Sequence, residues 1–347
     1  MSRDALRAFD DIIDVRSPAE FAEDHLPGAI NLPALCDEQR AEVGTIYVQR
    51  SVFEARRIGA AYVARNVAAY LTGPLAGRPR GWRPLIYCWR GGARSGSVAT
   101  ILAEVGWRTT VLEGGWRTWR RAVVDATQGD APDPPLLLVD GQTGCAKTEI
   151  LVRAMDRGAA AIDLEGAANH RGSAFGAMAD APPRSQKRFE SLIFEAMREG
   201  ERRLAAGGRY LVEAESARIG PLRAPARLWR AMKAAPRVEI TAPIEARVDY
   251  LETAYAAFAA SPKRIGDALS AIARRHSAET IGLWRALAED GDITGLIRTL
   301  LTEHYDPLYD RSRRKRMDEP VALLELPDLS DDSLERAAKE ISAIAGG

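Results

Sequence analysis

Residues 136–155 constrain the fold more than any other stretch of the chain. Leu136-Leu137-Leu138-Val139 is a continuous apolar run, which suits a strand buried on both faces of a parallel sheet. It leads through Asp140-Gly141-Gln142-Thr143-Gly144-Cys145-Ala146-Lys147-Thr148 into Ile150-Leu151-Val152-Arg153-Ala154-Met155, a helical pattern. Strand, glycine-rich loop, Lys-Thr and helix in that order make a phosphate-binding loop, in which backbone N–H groups and the lysine embrace a phosphate. In the pattern Gly-x-x-x-x-Gly-Lys-Thr the second glycine is replaced by Ala146. A Cβ there costs roughly 1 kcal/mol or more if the residue needs a positive φ. The phosphate- or diphosphate-binding set is Gly141, Gln142, Thr143, Gly144, Cys145, Ala146, Lys147 and Thr148, with Cys145 expected to fill space and not to react.

A second loop of the same kind lies upstream. Leu85-Ile86-Tyr87 runs into Cys88-Trp89-Arg90-Gly91-Gly92-Ala93-Arg94-Ser95, after which Val98, Ile101, Leu102 and Val105 fall at helical spacing. The unpaired amides and positive dipole end of that helix, with Arg90 and Arg94, favour a thiolate and can also hold an oxyanion. Cys88, Arg90 and Arg94 are therefore the candidate catalytic residues, and Trp89, Gly91, Gly92, Ala93 and Ser95 the cradle around them. Without conformational freedom at the two glycines the amides could not turn inward together.

Between the two patterned regions lies Ala126 to Pro135, small, polar and proline-rich, which reads as an interdomain linker. The expected division is residues 1–125, a linker at 126–135, and residues 136–347. Both flanking regions alternate short apolar runs with helical patterns, an α/β arrangement around mainly parallel sheets. The later part reads as mostly helical, with Val248, Leu251, Tyr255 and Phe258 on one face of a helix entered through Pro243. No apolar stretch approaches the roughly 20 residues of a membrane helix. The opening residues form no apolar signal segment, and Cys36, Cys88 and Cys145 are too scattered for a disulfide framework or a zinc site. A cytoplasmic protein with no membrane partner and no structural metal is expected, with Cys36 packed.

Forty-eight basic residues balance forty-eight acidic ones, so any polyanion site must be local. The densest positive run is Arg311-Ser312-Arg313-Arg314-Lys315-Arg316, and Asn169-His170-Arg171 sits in a polar loop. Two further apolar segments end in carboxylates, Asp163 with Glu165 and Glu213 with Glu215. Acid–base work or a Mg²⁺ ligand at the mouth of a doubly wound sheet would use such groups; solvated strand ends are the plainer meaning.

The first region resembles a rhodanese. Asp14-Val15-Arg16, Glu20-Phe21, His25-Leu26-Pro27-Gly28-Ala29-Ile30-Asn31 and Leu112-Glu113-Gly114-Gly115-Trp116 fit that pattern in order around the cysteine loop. Five residues separate Cys88 from Arg94, one more than in the usual sulfur carrier, and this wider form resembles the rhodanese-like phosphatases and arsenate reductases. Such a loop suits a tetrahedral oxyanion. With the P-loop region, and with Asp163 to Gly176, Gln186 to Glu190, Glu213 to Gly220 and Tyr305-Asp306-Pro307-Leu308-Tyr309, nearly the whole chain resembles the tRNA 2-selenouridine synthase family, which usually has Gly where Ala146 stands. The implied fold is an N-terminal rhodanese-like α/β domain followed by a P-loop NTPase-like α/β domain with a helical C-terminal portion. The implied activity is replacement of sulfur by selenium in the wobble 2-thiouridine of tRNA, through S-geranylation. Selenophosphate and geranyl diphosphate are the implied co-substrates, with no tightly bound cofactor. In that scheme Cys88 handles selenium, Arg90 and Arg94 hold the phosphate end, and Gly141, Gly144, Lys147 and Thr148 hold geranyl diphosphate. Asn169, His170, Arg171, Arg313, Arg314 and Arg316 become the candidate tRNA contacts. The rival reading is a small-molecule sulfurtransferase or phosphatase with a nucleotide-binding regulatory domain.

Overall fold

A computed structural model describes residues 6–173, 175–176, 182–315 and 318–346. The chain divides into two compact units, Met1–Ala126 and Thr127–Gly347. Helix Trp116–Gln128 runs through the first three residues of the segment expected to be a linker. Ala126, Thr127 and Gln128 contain no helix breaker, so the irregular connection starts only at Gly129.

The first unit is built on four parallel strands, β1 (Asp11–Asp14), β2 (Ala29–Asn31), β3 (Pro84–Tyr87) and β4 (Thr110–Val111), in the order β2-β1-β3-β4. Every residue of β3 is buried, as an apolar strand between two neighbours should be, and its register pairs Ile12 with Leu85 and Ile13 with Ile86. Ile13, Val67, Ile86, Val98 and Leu102 meet in one core between the sheet and helices Val52–Thr72 and Ala93–Glu104. The Asp14-Val15-Arg16 motif proves to be structural. Arg16 is fully buried, its guanidinium bonds the Asp14 carboxylate at 2.6 Å and the Asp24 carbonyl at 2.5 Å, and it lies 5.0 Å from the Trp116 ring centre. A charge taken out of water is tolerated only when partnered in this way. Cys36, expected to be packed, is half-buried at the N-cap of helix Asp37–Gln49.

The second unit has five parallel strands, β5 (Leu136–Gly141), β6 (Ala161–Ile162), β7 (Tyr210–Glu213), β10 (Arg237–Thr241) and β11 (Ala322–Glu325), ordered β11-β10-β5-β7-β6. A separate hairpin pairs β8 (Arg218–Ile219) with β9 (Leu222–Arg223). The wholly buried β5 sits at the centre, so the loop that follows it opens at the carboxyl edge between β10 and β7. One face of the sheet is covered by helices Lys147–Asp156 and Asp331–Ile344, which share Leu151, Ala154, Leu334 and Ile341. The other face packs Phe189, Ile193, Leu228 and Met232.

The expected helical region runs from Ile244 to Lys315 and has its own core of Phe258, Ile265, Leu269, Trp284 and Leu296. It is an insertion between β10 and β11. The chain then returns to the sheet, a step that the short, half-exposed β11 did not betray in its apolar pattern. The helix entered through Pro243 stops at Ala254, and Tyr255 begins a separate short turn of helix over Ala256–Ala259. Among the described residues no helix is long and apolar enough to cross a membrane.

Candidate functional sites

In the first unit, β3 delivers Cys88 to the start of helix Ala93–Glu104. The thiol is buried, with Sγ 3.2 Å from the Ser95 hydroxyl and accepting from the Gly92 amide at 3.3 Å. Burial alone would raise this thiol, but the Ser95 hydroxyl and the amides of Ser95, Arg90 and Gly92 outweigh it and hold it below the usual thiol range. Ser95 Oγ also lies 3.1 Å from the Gly92 carbonyl oxygen, a second acceptor within reach of its single proton.

The Gly114-Gly115-Trp116 segment supports the loop from below. Trp116 donates its amide to the Cys88 carbonyl at 2.8 Å, and its ring lies 4.6 Å from that of Trp89. Gly115 has φ +56°, and a Cβ there would overlap the Cys88 carbonyl oxygen and the Gly91 nitrogen. Only glycine allows the two loops to touch.

Arg94 does not face the sulfur. Its guanidinium forks onto Glu20 at 2.6 and 3.3 Å, and Arg40 approaches the same carboxylate at 3.1 Å. Burial, which by itself would raise the Glu20 carboxyl, is outweighed by the Arg94 hydrogen bond and charge, and the group is held below the ordinary range. Arg90 is exposed on the rim. The Ser95 hydroxyl and the amides therefore carry the thiol's electrostatics, a role the sequence pattern had given to the helix end and both arginines.

In the second unit the loop after β5 places three non-helical residues at positive φ: Gly141 at +149°, Gly144 at +88° and Ala146 at +53°. The alanine thus adopts the left-handed conformation that glycine takes without penalty, with the steric cost that implies. A Cβ on Gly144 would come within 2.9 Å of the Leu251 side chain. Lys147 Nζ is folded onto the loop, donating to the Gly141 carbonyl at 2.8 Å and the Gln142 carbonyl at 3.0 Å. Cys145 is fully buried, and burial raises its thiol despite the charges of Lys147 and Arg247.

Arg247, which sequence reasoning missed, clamps this loop. It is almost fully buried; its Nε donates to the Thr143 carbonyl at 2.9 Å, Nη1 to Gln142 Oε1 at 3.1 Å, and Nη2 to Asp306 at 2.6 Å. No local signal marks it, because its partners lie 104, 105 and 59 residues away.

The four candidate carboxylates converge at the strand ends but are not equivalent. Asp163 caps helix Leu164–Ala168 through the Gly166 amide at 2.7 Å. Glu165 accepts from Thr148 Oγ1 at 2.8 Å, and burial together with the Glu215 charge pushes it up to about 7. Glu213 is fully buried and accepts from the Leu164 amide at 3.0 Å, while its other oxygen has no hydrogen-bond partner; burial drives it well above the carboxylate range. Glu215 is raised by burial against the pull of Lys147. Among the described residues no three His, Cys, Asp or Glu side chains are arranged to hold a metal ion.

Two cavities meet at this loop. A cleft of about 560 Å³ is lined by Lys147, Thr148, Glu165, Glu215, Arg171 and their neighbours. An apolar pocket is walled by Phe175, from the segment after helix Leu164–Ala168, and by Phe258, Ile265, Leu296, Leu300 and Leu301 of the helical region. Thr143, Ser173, Leu251 and Tyr255 line both.

The expected tRNA contacts separate. Asn169 adopts φ +54° and donates to the Pro182 carbonyl at 2.9 Å. His170 is buried, accepts the Gly172 amide at 3.1 Å and packs on Gly220, so both residues serve their own loop. Arg171 lines the cleft beside Lys147. Arg313 reaches Glu239 at 3.4 Å, Arg314 is exposed, and Arg316 lies outside the described residues. His276 and His304, unrelated by spacing, meet at 2.7 Å in the helical core, where burial and the neighbouring imidazole lower His304 to about 4.

Comparison with known proteins agrees with this two-part layout. A rhodanese-like domain family matches residues 3–122, and a family described as the tRNA 2-selenouridine synthase AAA domain matches residues 134–325. The tRNA 2-selenouridine synthase of Chromohalobacter salexigens is 35% identical over 328 residues, 86% of each chain. That of Cupriavidus pinatubonensis is 32% identical over 361 residues, covering 94% of this chain and 95% of the relative. The Salmonella enteritidis protein of the same name is 34% identical over 334 residues, with 88% and 89% covered.

Proposed function

The chain belongs to the tRNA 2-selenouridine synthase family, and from that premise we propose that it converts wobble 2-thiouridine in tRNA to 2-selenouridine through an S-geranyl intermediate. It is a tRNA-modifying transferase. Geranyl diphosphate supplies the prenyl group and selenophosphate the selenium.

The observation that carries the geranyl step is the junction of two unlike cavities. A prenyl diphosphate needs a cationic, amide-lined seat for its head and an apolar one for its tail, in contact with each other. Lys147 and the amides after β5 supply the first, and the pocket that shares Thr143, Ser173, Leu251 and Tyr255 with that cleft supplies the second. An ordinary nucleotide would leave the apolar pocket unused.

The thiocarbonyl sulfur attacks C1 of the geranyl group, the C1–O bond breaks, and diphosphate leaves with the bonding pair. Cationic and amide contacts at the loop lower that barrier by stabilising the departing oxygens. S-alkylation turns a poor leaving group into a good one, so selenium handled at Cys88 can displace geranyl thiolate from C2. The lowered Cys88 thiol and the inward amides around it suit a nucleophile facing a phosphorylated selenium donor. Arg90, exposed on the rim, is the side chain placed to meet that donor's phosphate, while Arg94 shapes the loop through Glu20.

The test is nucleoside mass spectrometry of 2-thiouridine tRNA incubated with protein, geranyl diphosphate and selenophosphate. Wild type should yield 2-selenouridine, Cys88→Ala should accumulate the S-geranyl nucleoside, and Lys147→Ala should leave 2-thiouridine unchanged. Unchanged 2-thiouridine with wild type, the tRNA intact and both donors verified, would sink the reading in favour of small-molecule sulfur transfer.

A further inference from the structure

Resting on the reading that geranyl diphosphate occupies the cleft, we infer that Arg171 binds the phosphate nearest the prenyl chain and stabilises the oxygen that leaves C1. It does not contact the tRNA backbone.

Glu149, Asp163, Glu165, Glu213 and Glu215 also line the cleft, so a diphosphate must take its countercharge from the cationic side chains there. Among the described residues lining it, the cationic side chains are Lys147 and Arg171. Lys147 belongs to the loop itself and bonds two of its carbonyls. Arg171 comes from a different segment and is held ready by two neutral contacts. Its Nη1 donates to the Ala254 carbonyl at 2.6 Å, and its guanidinium carbon stands 4.5 Å from the centre of the Tyr255 ring. Those contacts occupy one N–H and one face of the plane, and the guanidinium also hydrogen-bonds the Tyr255 side chain. The remaining donors of the five-donor fork are left for a ligand, and no carboxylate pairs with it among the described residues.

Position then decides the role. The ring under Arg171, Tyr255, lines both the phosphate cleft and the apolar pocket, as does Ser173 two residues along the chain. The guanidinium therefore stands at the seam between head and tail. In a prenyl diphosphate bound across that seam, the atoms at this point are C1 and its ester oxygen. When sulfur bonds to C1 the C1–O bond breaks and its electron pair stays on that oxygen. The thiouracil N3 proton is lost to water. A planar fork meeting two phosphate oxygens is the arrangement that follows this charge.

The experiment uses the full chain with Arg171→Ala and Arg171→Lys. Geranyl transfer to 2-thiouridine tRNA is followed at saturating tRNA, geranyl diphosphate binding by calorimetry, and tRNA binding across a salt series. Removing one such donor should lower the transfer rate about 100-fold. Affinity for geranyl diphosphate should fall about 10-fold, while tRNA affinity and its salt slope stay as in wild type. Arg171→Lys keeps charge and reach without the fork, so it should retain the fold and still lose most of the rate. Intact geranyl diphosphate binding with a tRNA salt slope reduced by about one would overturn the assignment and return Arg171 to the RNA. Failure of the wild-type protein to bind geranyl diphosphate at all would instead strike the underlying reading.

Discussion

Each unit carries a cysteine in the loop that joins a buried strand to a helix, and the two thiols are driven in opposite directions. Cys88 and Cys145 are both buried, and burial by itself raises both. Cys88 ends below the usual range because the Ser95 hydroxyl and three amides donate to its sulfur. Cys145 ends above it, although Lys147 and Arg247 are close enough to act on it through charge. Cys145 is wholly buried with one amide donor, that of Ala242, against a hydroxyl and three amides at Cys88, so desolvation wins in one loop and hydrogen bonding in the other.

The comparison is broken most severely by Gly115→Ala. Because a Cβ there would overlap the Cys88 carbonyl oxygen and the Gly91 nitrogen, urea denaturation should show the first unit destabilised by about 3 kcal/mol. Any folded fraction should lose the fast alkylation of Cys88, whereas an unchanged midpoint would mean that the two loops are not in contact.

A smaller effect is expected on the carboxylate wall of the second loop. Glu165 titrates near 4.5 when unfolded and about 7 when folded, so the native state holds the extra proton between these values. Stability from this group is present below pH 4.5 and is lost as pH rises to 7. Glu165→Gln escapes that loss. Its stability relative to wild type should improve by about 2–3 kcal/mol between pH 5 and pH 8 in parallel denaturant titrations. A constant difference across that range would show that Glu165 is not raised.

Ser95→Ala sharpens the contrast between the thiols. Without the hydroxyl at 3.2 Å the Cys88 thiol should rise, and its iodoacetamide alkylation rate at pH 7 should fall about 5-fold. Cys145, fully buried, serves as the internal control, and a rise in its alkylation would indicate general loosening. The smallest effect belongs to Ala146→Gly. Relief of the left-handed alanine is nearly offset by the entropy of a new glycine in the unfolded chain, so stability should change by less than about 0.5 kcal/mol. A gain above about 2 kcal/mol would mean that the alanine is held under more strain than its φ alone implies.

Both loops were legible in the sequence because each is a short, contiguous pattern. Leu136 to Met155 and Leu85 to Val105 carry strand, turn and helix signals within about twenty residues. The carboxylates at the ends of β6 and β7 were legible for the same reason, since strand ends in an open α/β sheet face the ligand edge. Arg94 was misread because its partner Glu20 is 74 residues away, and an arginine beside a cysteine looks alike whether it turns toward sulfur or away. His170 sat in a polar stretch and looked exposed, yet the close approach of Gly220 gives its ring a place to pack. The apolar pocket had no counterpart in the sequence reading. Its walls come from segments around Thr143, Phe175, Leu251, Phe258, Ile265 and Leu296, each an ordinary amphipathic position taken alone.

The sequence by itself determined two α/β units and two strand–loop–helix segments, each with a cysteine in its glycine-bearing loop. Those features depend on local backbone preference and on the repeat of apolar residues, and both are written along the chain. Only the tertiary structure decided which groups act on those loops. It turned Arg94 to Glu20, set Arg247 over the phosphate loop, raised Glu165 and placed Arg171 where cleft and pocket meet. The physical reason is that electrostatics and cavity shape depend on distance and desolvation in space, which segments far apart in the chain create only when they pack together.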